Sequence, residues 1–211
     1  MKDYRIKVNV IIIIMAFLGC ILLISLLLFM KLLEPNELDE FILNYGLISF
    51  PLGVFWWFFD STLWKKVKIK WMKKYLRIPP NLSGRWEGLI DRYGENNPHK
   101  FVLEIKQNLT SLQIFTYSQN GKSKSIVDDI VVTDKMNERF RLCYLWSGTG
   151  GPLKYQTKKS SEEFQGYTIL DLITNDNSKK LKGYYFTNRL PNQTKGEIEV
   201  DYISNKLMNE F

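Results

Sequence analysis

Hydrophobic and polar residues divide the chain into a strongly apolar first part and an alternating second part. Two stretches, residues 10–30 and 41–59, contain no charged side chain. As a helix, each is long enough to cross the roughly 30 Å of hydrocarbon in a bilayer. A cleaved signal peptide would have a shorter apolar core and a small-residue cleavage site. The pattern predicts a membrane anchor over residues 1–60 with two transmembrane helices, a buried soluble helix being the alternative for the second.

Charged residues beside the two stretches predict their orientation. The N-terminus carries Lys2, Arg5 and Lys7, and seven basic residues lie between 65 and 77. The connection at 31–40 contains one lysine and four acidic residues. Because basic residues stay on the cytoplasmic side, both termini are predicted to be cytoplasmic.

Residues 61–80 mix basic and apolar side chains and end at Pro79 and Pro80. We interpret them as a basic amphipathic juxtamembrane linker that contacts anionic lipid, or simply as the cytoplasmic end of the second helix. The two prolines end any helix, so they predict a domain boundary, with the second domain over 81–211.

Short β-branched and aromatic runs separated by Gly, Asn, Ser and Pro replace helical periodicity after this boundary. They predict eight strands with mostly short connections, which favours an all-β domain that forms an antiparallel up-and-down, lipocalin-like barrel. The predicted strands cover residues 83–91, 100–107, 110–118, 123–133, 138–146, 163–173, 180–189 and 195–203.

Strand alternation in such a meander places the ends of the third, fifth and seventh strands at one rim. The predicted rim combines aromatic rings, hydroxyls and one guanidinium, which can stack on bases and bind phosphate. A long loop is predicted to open there at 147–162, and Trp86 to lie at the opposite end. Alternatively, the aromatic rings fill the core, and the lysines near the rim, such as Lys122 and Lys124, are merely solvated. The candidate ligand-binding residues are Tyr144, Trp146, Tyr185, Thr187, Arg189, Thr116, Ser123 and Ser125.

Composition argues against several functional classes. The chain has one histidine and two cysteines, so it offers no His/Cys zinc set and no nucleophile–histidine pair. Asp128 and Asp129 are neighbours in a predicted strand and cannot form a catalytic pair, because they point to opposite faces. Residues 78–211 contain 18 Lys and Arg and 16 Asp and Glu, so they carry a net charge of only +2 out of the chain's +7. We therefore predict a protein that is not an enzyme, needs no cofactor and does not bind DNA or RNA.

The order of these parts resembles the SMODS-associated two-transmembrane, β-strand-rich effectors of bacterial CBASS antiphage systems. The resemblance covers nearly the whole chain and includes a serine-rich hairpin at 118–125. The other matching segments are Leu-Ser-Gly-Arg-Trp-Glu-Gly at 82–88, Ile-Lys-Gln at 105–107, Gly-Tyr-Thr-Ile-Leu-Asp-Leu at 166–172, Leu-Lys-Gly-Tyr-Tyr-Phe-Thr-Asn-Arg at 181–189 and Lys-Gly-Glu-Ile at 195–198.

The resemblance implies an effector activated by a cyclic di- or oligonucleotide that a cognate nucleotidyltransferase makes. The barrel would bind this signal and form homo-oligomers, and the clustered helices would disrupt the lipid of the bacterial inner membrane, causing abortive infection. Thr187 and Arg189 lie in a segment that matches the family, whereas the other candidates rest on the face assignment. The alternative function is a membrane-tethered carrier or scaffold of lipocalin type without a nucleotide signal.

Overall fold

A computed structural model describes the chain at residues 19, 53–54, 56–66, 79–119, 121–134, 139–150, 163–175, 178–188 and 193–210. The chain divides into two compact units. The first is Met1–Pro79 with Asn108–Thr110, and the second is Pro80–Gln107 with Ser111–Phe211.

Residues 53–54 and 56–66 of the first unit are helical, with a π-helical turn over Phe59–Leu63 that continues as helix over Trp64–Lys66. Within the described residues, no helix combines the length and the apolar composition needed to cross a bilayer. Residues 10–18 and 20–30 of the first predicted transmembrane helix, and 41–52 and 55 of the second, lie outside the described residues. Both helices therefore stay predictions.

The second unit is a closed barrel in which each strand pairs antiparallel with its sequence neighbours and the last strand pairs with the first. This confirms the predicted eight-stranded antiparallel up-and-down barrel. The strands are β1 (Gly84–Arg92), β2 (His99–Gln107), β3 (Leu112–Ser118), β4 (Gly121–Asp134), β5 (Arg139–Gly150), β6 (Glu163–Asn175), β7 (Ser178–Thr187) and β8 (Lys195–Ser204).

One predicted boundary is wrong. Residues 147–150, predicted to open a long loop, continue β5, where Gly150 pairs with Gly121 and Thr149 pairs with Glu163. These residues are rich in glycine, a composition that is typical of loops. The ladders on both sides nevertheless satisfy their backbone hydrogen bonds and hold them as strand. Residues 151–162 of the predicted loop lie outside the described residues.

Apolar side chains on the inner face pack the half of the barrel nearest the start of β1. The Trp86 indole is fully buried there, and its Nε1 donates a hydrogen bond to the carbonyl oxygen of Leu82 at 3.0 Å. Trp86 therefore lies at the barrel end opposite the predicted rim, as expected. The other inward aliphatic residues that are at most 2 % exposed are Leu103, Ile105, Ile114, Ile130, Leu142, Leu170, Leu181, Ile198 and Val200.

A buried ion pair lies on the outer face of β1 and β2. Arg85 Nη1 donates to Glu104 Oε1 at 3.0 Å, and the two side chains are 5 % and 0 % exposed. The segment after β8 covers this pair. The backbone amides of Met208 and Asn209 donate to Glu104, at 2.8 Å to Oε1 and 3.1 Å to Oε2, and Arg85 Nη1 donates to the Glu210 carbonyl oxygen at 2.8 Å. Glu104 thus fastens the C-terminal segment to the barrel wall.

A more exposed group of ion pairs on β7 and β8 should make the stability of the barrel sensitive to acid. Hydrogen bonds from Lys180 and Lys182, at 2.5 and 2.9 Å, lower the pKa of Glu199 to about 2. The unfolded chain protonates this carboxylate near pH 4.3. The stabilisation is therefore present above that pH and is lost as the pH falls towards 2.

We expect Glu199→Gln to unfold with a shallower loss of stability between pH 5 and 2.5 than the unmodified chain. Because these side chains are one third to one half exposed, the difference should be at most about 1 kcal/mol. Denaturant unfolding at a series of pH values measures it. Identical acid limbs for the two proteins would show that the group contributes nothing.

Candidate ligand-binding site

The other end of the barrel interior is polar, and it is the predicted rim. The ends of β1, β3, β5 and β7 meet there with the starts of β2, β4, β6 and β8. Seven of the eight candidate residues lie on the inner face at or near this end. Arg189 lies outside the described residues. The seven are Thr116, Ser123, Ser125, Tyr144, Trp146, Tyr185 and Thr187.

Residues that pair directly across neighbouring strands have their side chains on the same face, so the inner side chains form rows that run around the barrel. The upper row runs Ser125, Trp146, Gly166 and Thr187. The next row down runs Asp128, Tyr144, Thr168, Tyr185, Gly196 and Arg92. The apolar packing begins immediately below the second row.

Trp146 is the aromatic ring of the candidate set that stays partly exposed. Its Nε1 donates to Thr168 Oγ1 at 2.9 Å, and Phe164 contacts the ring edge-on at a centroid distance of 5.6 Å. A Cβ atom at Gly166 would lie 2.3 Å from the indole, so glycine at this position makes room for the ring. The indole is therefore held in a fixed orientation at the mouth.

The two candidate tyrosines are buried instead, at 1 % exposure for Tyr144 and 4 % for Tyr185. Burial raises the pKa of Tyr144, and it raises the pKa of Tyr185 while the charge of Arg92 acts in the opposite direction. These rings form the base of the polar half, which fits the alternative that aromatic rings fill the core. Stacking on a ligand stays a prediction for all three rings, and the geometry favours Trp146.

Hydroxyl groups line the mouth on both sides of Trp146. Thr116 and Ser123 are paired across β3 and β4, and their hydroxyls hydrogen-bond each other. On the far side, the hydroxyls of Thr187 and Thr194 lie 2.8 Å apart. Lys122 and Lys124, which alternate with the serines, lie on the outer face over the rings of Tyr117 and Phe115. These two lysines are not part of the inner set.

A β-bulge in β4 brings in a residue that sequence reasoning missed. Register shifts between Ser125 and Val127, so that Asp128 rather than Val127 pairs with Tyr144 on the inner face. Ile126 and Val127 are both about half exposed, at 54 % and 50 %, as expected where an extra residue breaks alternation. Strict alternation from Ser125 would have placed Asp128 outside, and no sequence signal identified the bulge.

Arg92 and Thr168 are two further inner-face residues that sequence reasoning missed. Arg92 is the last residue of β1 and continues the inward row of Trp86, Gly88 and Ile90, one residue beyond the predicted strand end. Its Nη1 lies 3.3 Å from Glu95 Oε1. Thr168 pairs with Tyr144, so alternation along β6 could have identified it.

The described side chains contain no cluster of three or more His, Cys, Asp or Glu that could hold a metal ion. The mouth is instead an anion on β4, a cation on β1, hydroxyls and one aromatic face. This combination can bind an organic ligand that carries both flat rings and negative charge.

Fold and mouth thus define a β-barrel receptor for a small ligand. Residues 78–201 match the family model described as Cap15, cyclic dinucleotide receptor domain. This match covers more than half of the sequence, and the chain belongs to this family of CBASS effectors. It confirms the family resemblance drawn from the sequence motifs for the barrel domain. No curated protein matches the chain.

Proposed function

We propose that the barrel mouth binds a cyclic dinucleotide and that this binding activates the chain as a CBASS effector. The observation that carries the proposal is the partly exposed Trp146 ring, held by Thr168 at the polar end of a barrel that belongs to a cyclic dinucleotide receptor family. A base stacked on an aromatic side chain gains about 1–3 kcal/mol.

The remaining mouth residues suit the other parts of such a ligand. Arg92 on the inner face is a cation for the phosphates. Arg189, two residues after β7 in the sequence, is proposed as a second. In the Thr116–Ser123 pair, one hydroxyl donates to the other and the second can donate to a phosphate or ribose oxygen. Thr187 is buried and bonds Thr194, so its proposed role is to support the wall of the site. Ser125 is committed to protein contacts, because it accepts the Ile114 amide at 2.9 Å and donates to Asp128 Oδ2 at 2.8 Å. Its proposed role is to hold the site.

An apolar carrier is the weaker alternative. The lower half of the interior is packed by side chains that are at most 2 % exposed, and an apolar ligand would have to displace them. The upper half presents charges and hydroxyls, which an apolar ligand would leave without partners.

The response in the membrane extends the same proposal. The apolar stretches at 10–30 and 41–59 anchor the chain in the bacterial inner membrane with both termini cytoplasmic. Ligand binding favours association of barrels, because a ligand that binds the associated state more tightly shifts the equilibrium towards it. Clustered helices then disrupt the bilayer and kill the infected cell. The chain acts by binding, not by catalysis.

Thermal unfolding of the full-length chain in detergent tests the binding step. We expect one or more cyclic dinucleotides to raise the midpoint by several degrees at about 100 times the dissociation constant, where binding adds about 2.7 kcal/mol. Linear dinucleotides serve as controls and should shift it less. A folded chain with no shift across a broad panel would refute the proposal and favour the carrier.

Trp146→Ala tests the ring that carries the proposal. We expect affinity for the activating cyclic dinucleotide to fall roughly 5- to 150-fold, because one stacked base is lost. Phe186→Ala is the matched control, since this aromatic residue lies on the outer face of β7 and is 50 % exposed. Isothermal titration on the three proteins gives the comparison. Equal affinity in all three would remove Trp146 from the site.

A further inference from the structure

Asp128 is a carboxylate on the inner face of the barrel mouth, placed there by the bulge in β4. Bulges frequently re-aim a side chain beside a functional site. Its neighbour Asp129 is the strand partner of Cys143 on β5 and lies on the outer face. The chain therefore carries two adjacent carboxylates, one inside the mouth and one outside.

The Asp128 carboxylate is held in one orientation. Ser125 Oγ donates to its Oδ2 at 2.8 Å, and Ser125 Oγ in turn accepts the backbone amide of Ile114 at 2.9 Å. A carboxylate offers about four acceptor positions. It can keep Ser125 and a further protein partner and still accept two parallel N–H donors.

Charge decides which part of a cyclic dinucleotide can face this group. The ionised carboxylate repels the phosphates, whose proposed partner Arg92 lies on β1, three strands away from β4 around the barrel. Ring N–H groups, amino groups and ribose hydroxyls remain as donors. Trp146 pairs directly with Ser125, one row above Asp128. The indole itself leans towards β6, where its Nε1 bonds Thr168. A base stacked on the face of the indole inside the mouth can turn an edge towards the β4 wall.

We propose, on the basis of the function proposed above, that Asp128 accepts the ring N–H of a nucleobase. Guanine offers N1–H with the adjacent N2 amino group, which matches both carboxylate oxygens, and uracil offers N3–H. Adenine and cytosine present an acceptor nitrogen at the same position, which the carboxylate repels. The site therefore prefers a cyclic dinucleotide that contains guanine or uracil, and guanine makes the stronger contact.

Binding of five probes to the full-length chain tests this preference: cyclic di-GMP, cyclic di-UMP, cyclic GMP–AMP, cyclic di-AMP and cyclic di-CMP. We expect at least one guanine or uracil probe to bind roughly 5- to 150-fold more tightly than cyclic di-AMP and cyclic di-CMP, the discrimination that a good bidentate pair provides. Asp128→Asn should lose that factor for the preferred probe and should not weaken cyclic di-AMP, since the amide can donate to adenine N1. Asp129→Asn is the control and should bind like the unmodified chain.

A ligand-side measurement covers the case in which Asp128→Asn does not fold. An analogue of the preferred probe with a methyl group on the ring nitrogen lacks the N–H, and it should bind the unmodified chain about as weakly as the adenine probe.

Any of four outcomes would overturn the inference. Tight binding of cyclic di-AMP or cyclic di-CMP, or of the methylated analogue, would exclude recognition of a ring N–H. An equal loss for every probe in Asp128→Asn would assign the carboxylate to ribose hydroxyls. No binding of any cyclic dinucleotide would refute the proposed function itself, whereas binding without base preference would refute only the role of Asp128.

Discussion

Replacing Glu104 by alanine should lower the free energy of unfolding by about 3 kcal/mol, because it removes the buried partner of the Arg85 guanidinium and leaves it only the more exposed Glu87 carboxylate. The substitution also removes the acceptor of the Met208 and Asn209 amides. Denaturant unfolding of the full-length chain in detergent measures the change. A loss of this size is a large part of the stability of an ordinary domain.

Glu87→Ala is the matched control. This carboxylate also bonds Arg85, at 2.5 Å to Nε, but its side chain is 43 % exposed. Its removal leaves Arg85 paired with Glu104, so we expect a loss of at most about 1 kcal/mol. Equal losses in the two variants would mean that burial of Glu104 adds nothing and would contradict the role assigned to it.

Deleting residues 1–60 should abolish killing of phage-infected cells while cyclic dinucleotide binding is retained. The barrel closes on itself and has its own apolar core, so the binding mouth does not depend on the deleted residues. Without the two apolar stretches, the proposed mechanism has no means of disrupting a bilayer. Survival of infected cultures and binding by the purified truncated chain are the two measurements.

The two readouts of this deletion have separate meanings. A truncated chain that still kills infected cells would overturn the membrane mechanism but not the binding proposal. If the truncated chain is folded, as judged by circular dichroism, and fails to bind a ligand that the full chain binds, the mouth requires residues from the first 60.

The barrel could be predicted from the sequence because alternation and turn residues are local signals. Every predicted strand corresponds to an observed one, and most boundaries agree within two residues. The exception is the end of β5, where Gly148 and Gly150 are held by pairing with β4. Such pairing depends on strands distant in sequence, and residue propensities do not report it.

The candidate site could be predicted only as far as strict alternation holds. Thr116, Ser123, Trp146 and Thr187 are where the meander places them, since their strands are regular up to those residues. Asp128 was missed because one extra residue at Ile126 exchanges the faces of the next residues of β4, up to the second register shift after Val132. The exposure of each aromatic side chain could not be predicted from the sequence either. Whether Tyr144 or Trp146 is exposed at the mouth depends on packing across several strands.

The pairing of β1 with β8 has a consequence for synthesis on the ribosome. Each of the other seven ladders joins consecutive strands, whereas this one joins Arg85 to Ser204. A nascent chain can form hairpins as each strand emerges, but the ring closes only after the final strand has been translated, and such distant contacts form slowly. The apolar N-terminal stretches emerge first. The cell therefore makes the proposed membrane-disrupting segment before the domain that would control it has finished folding.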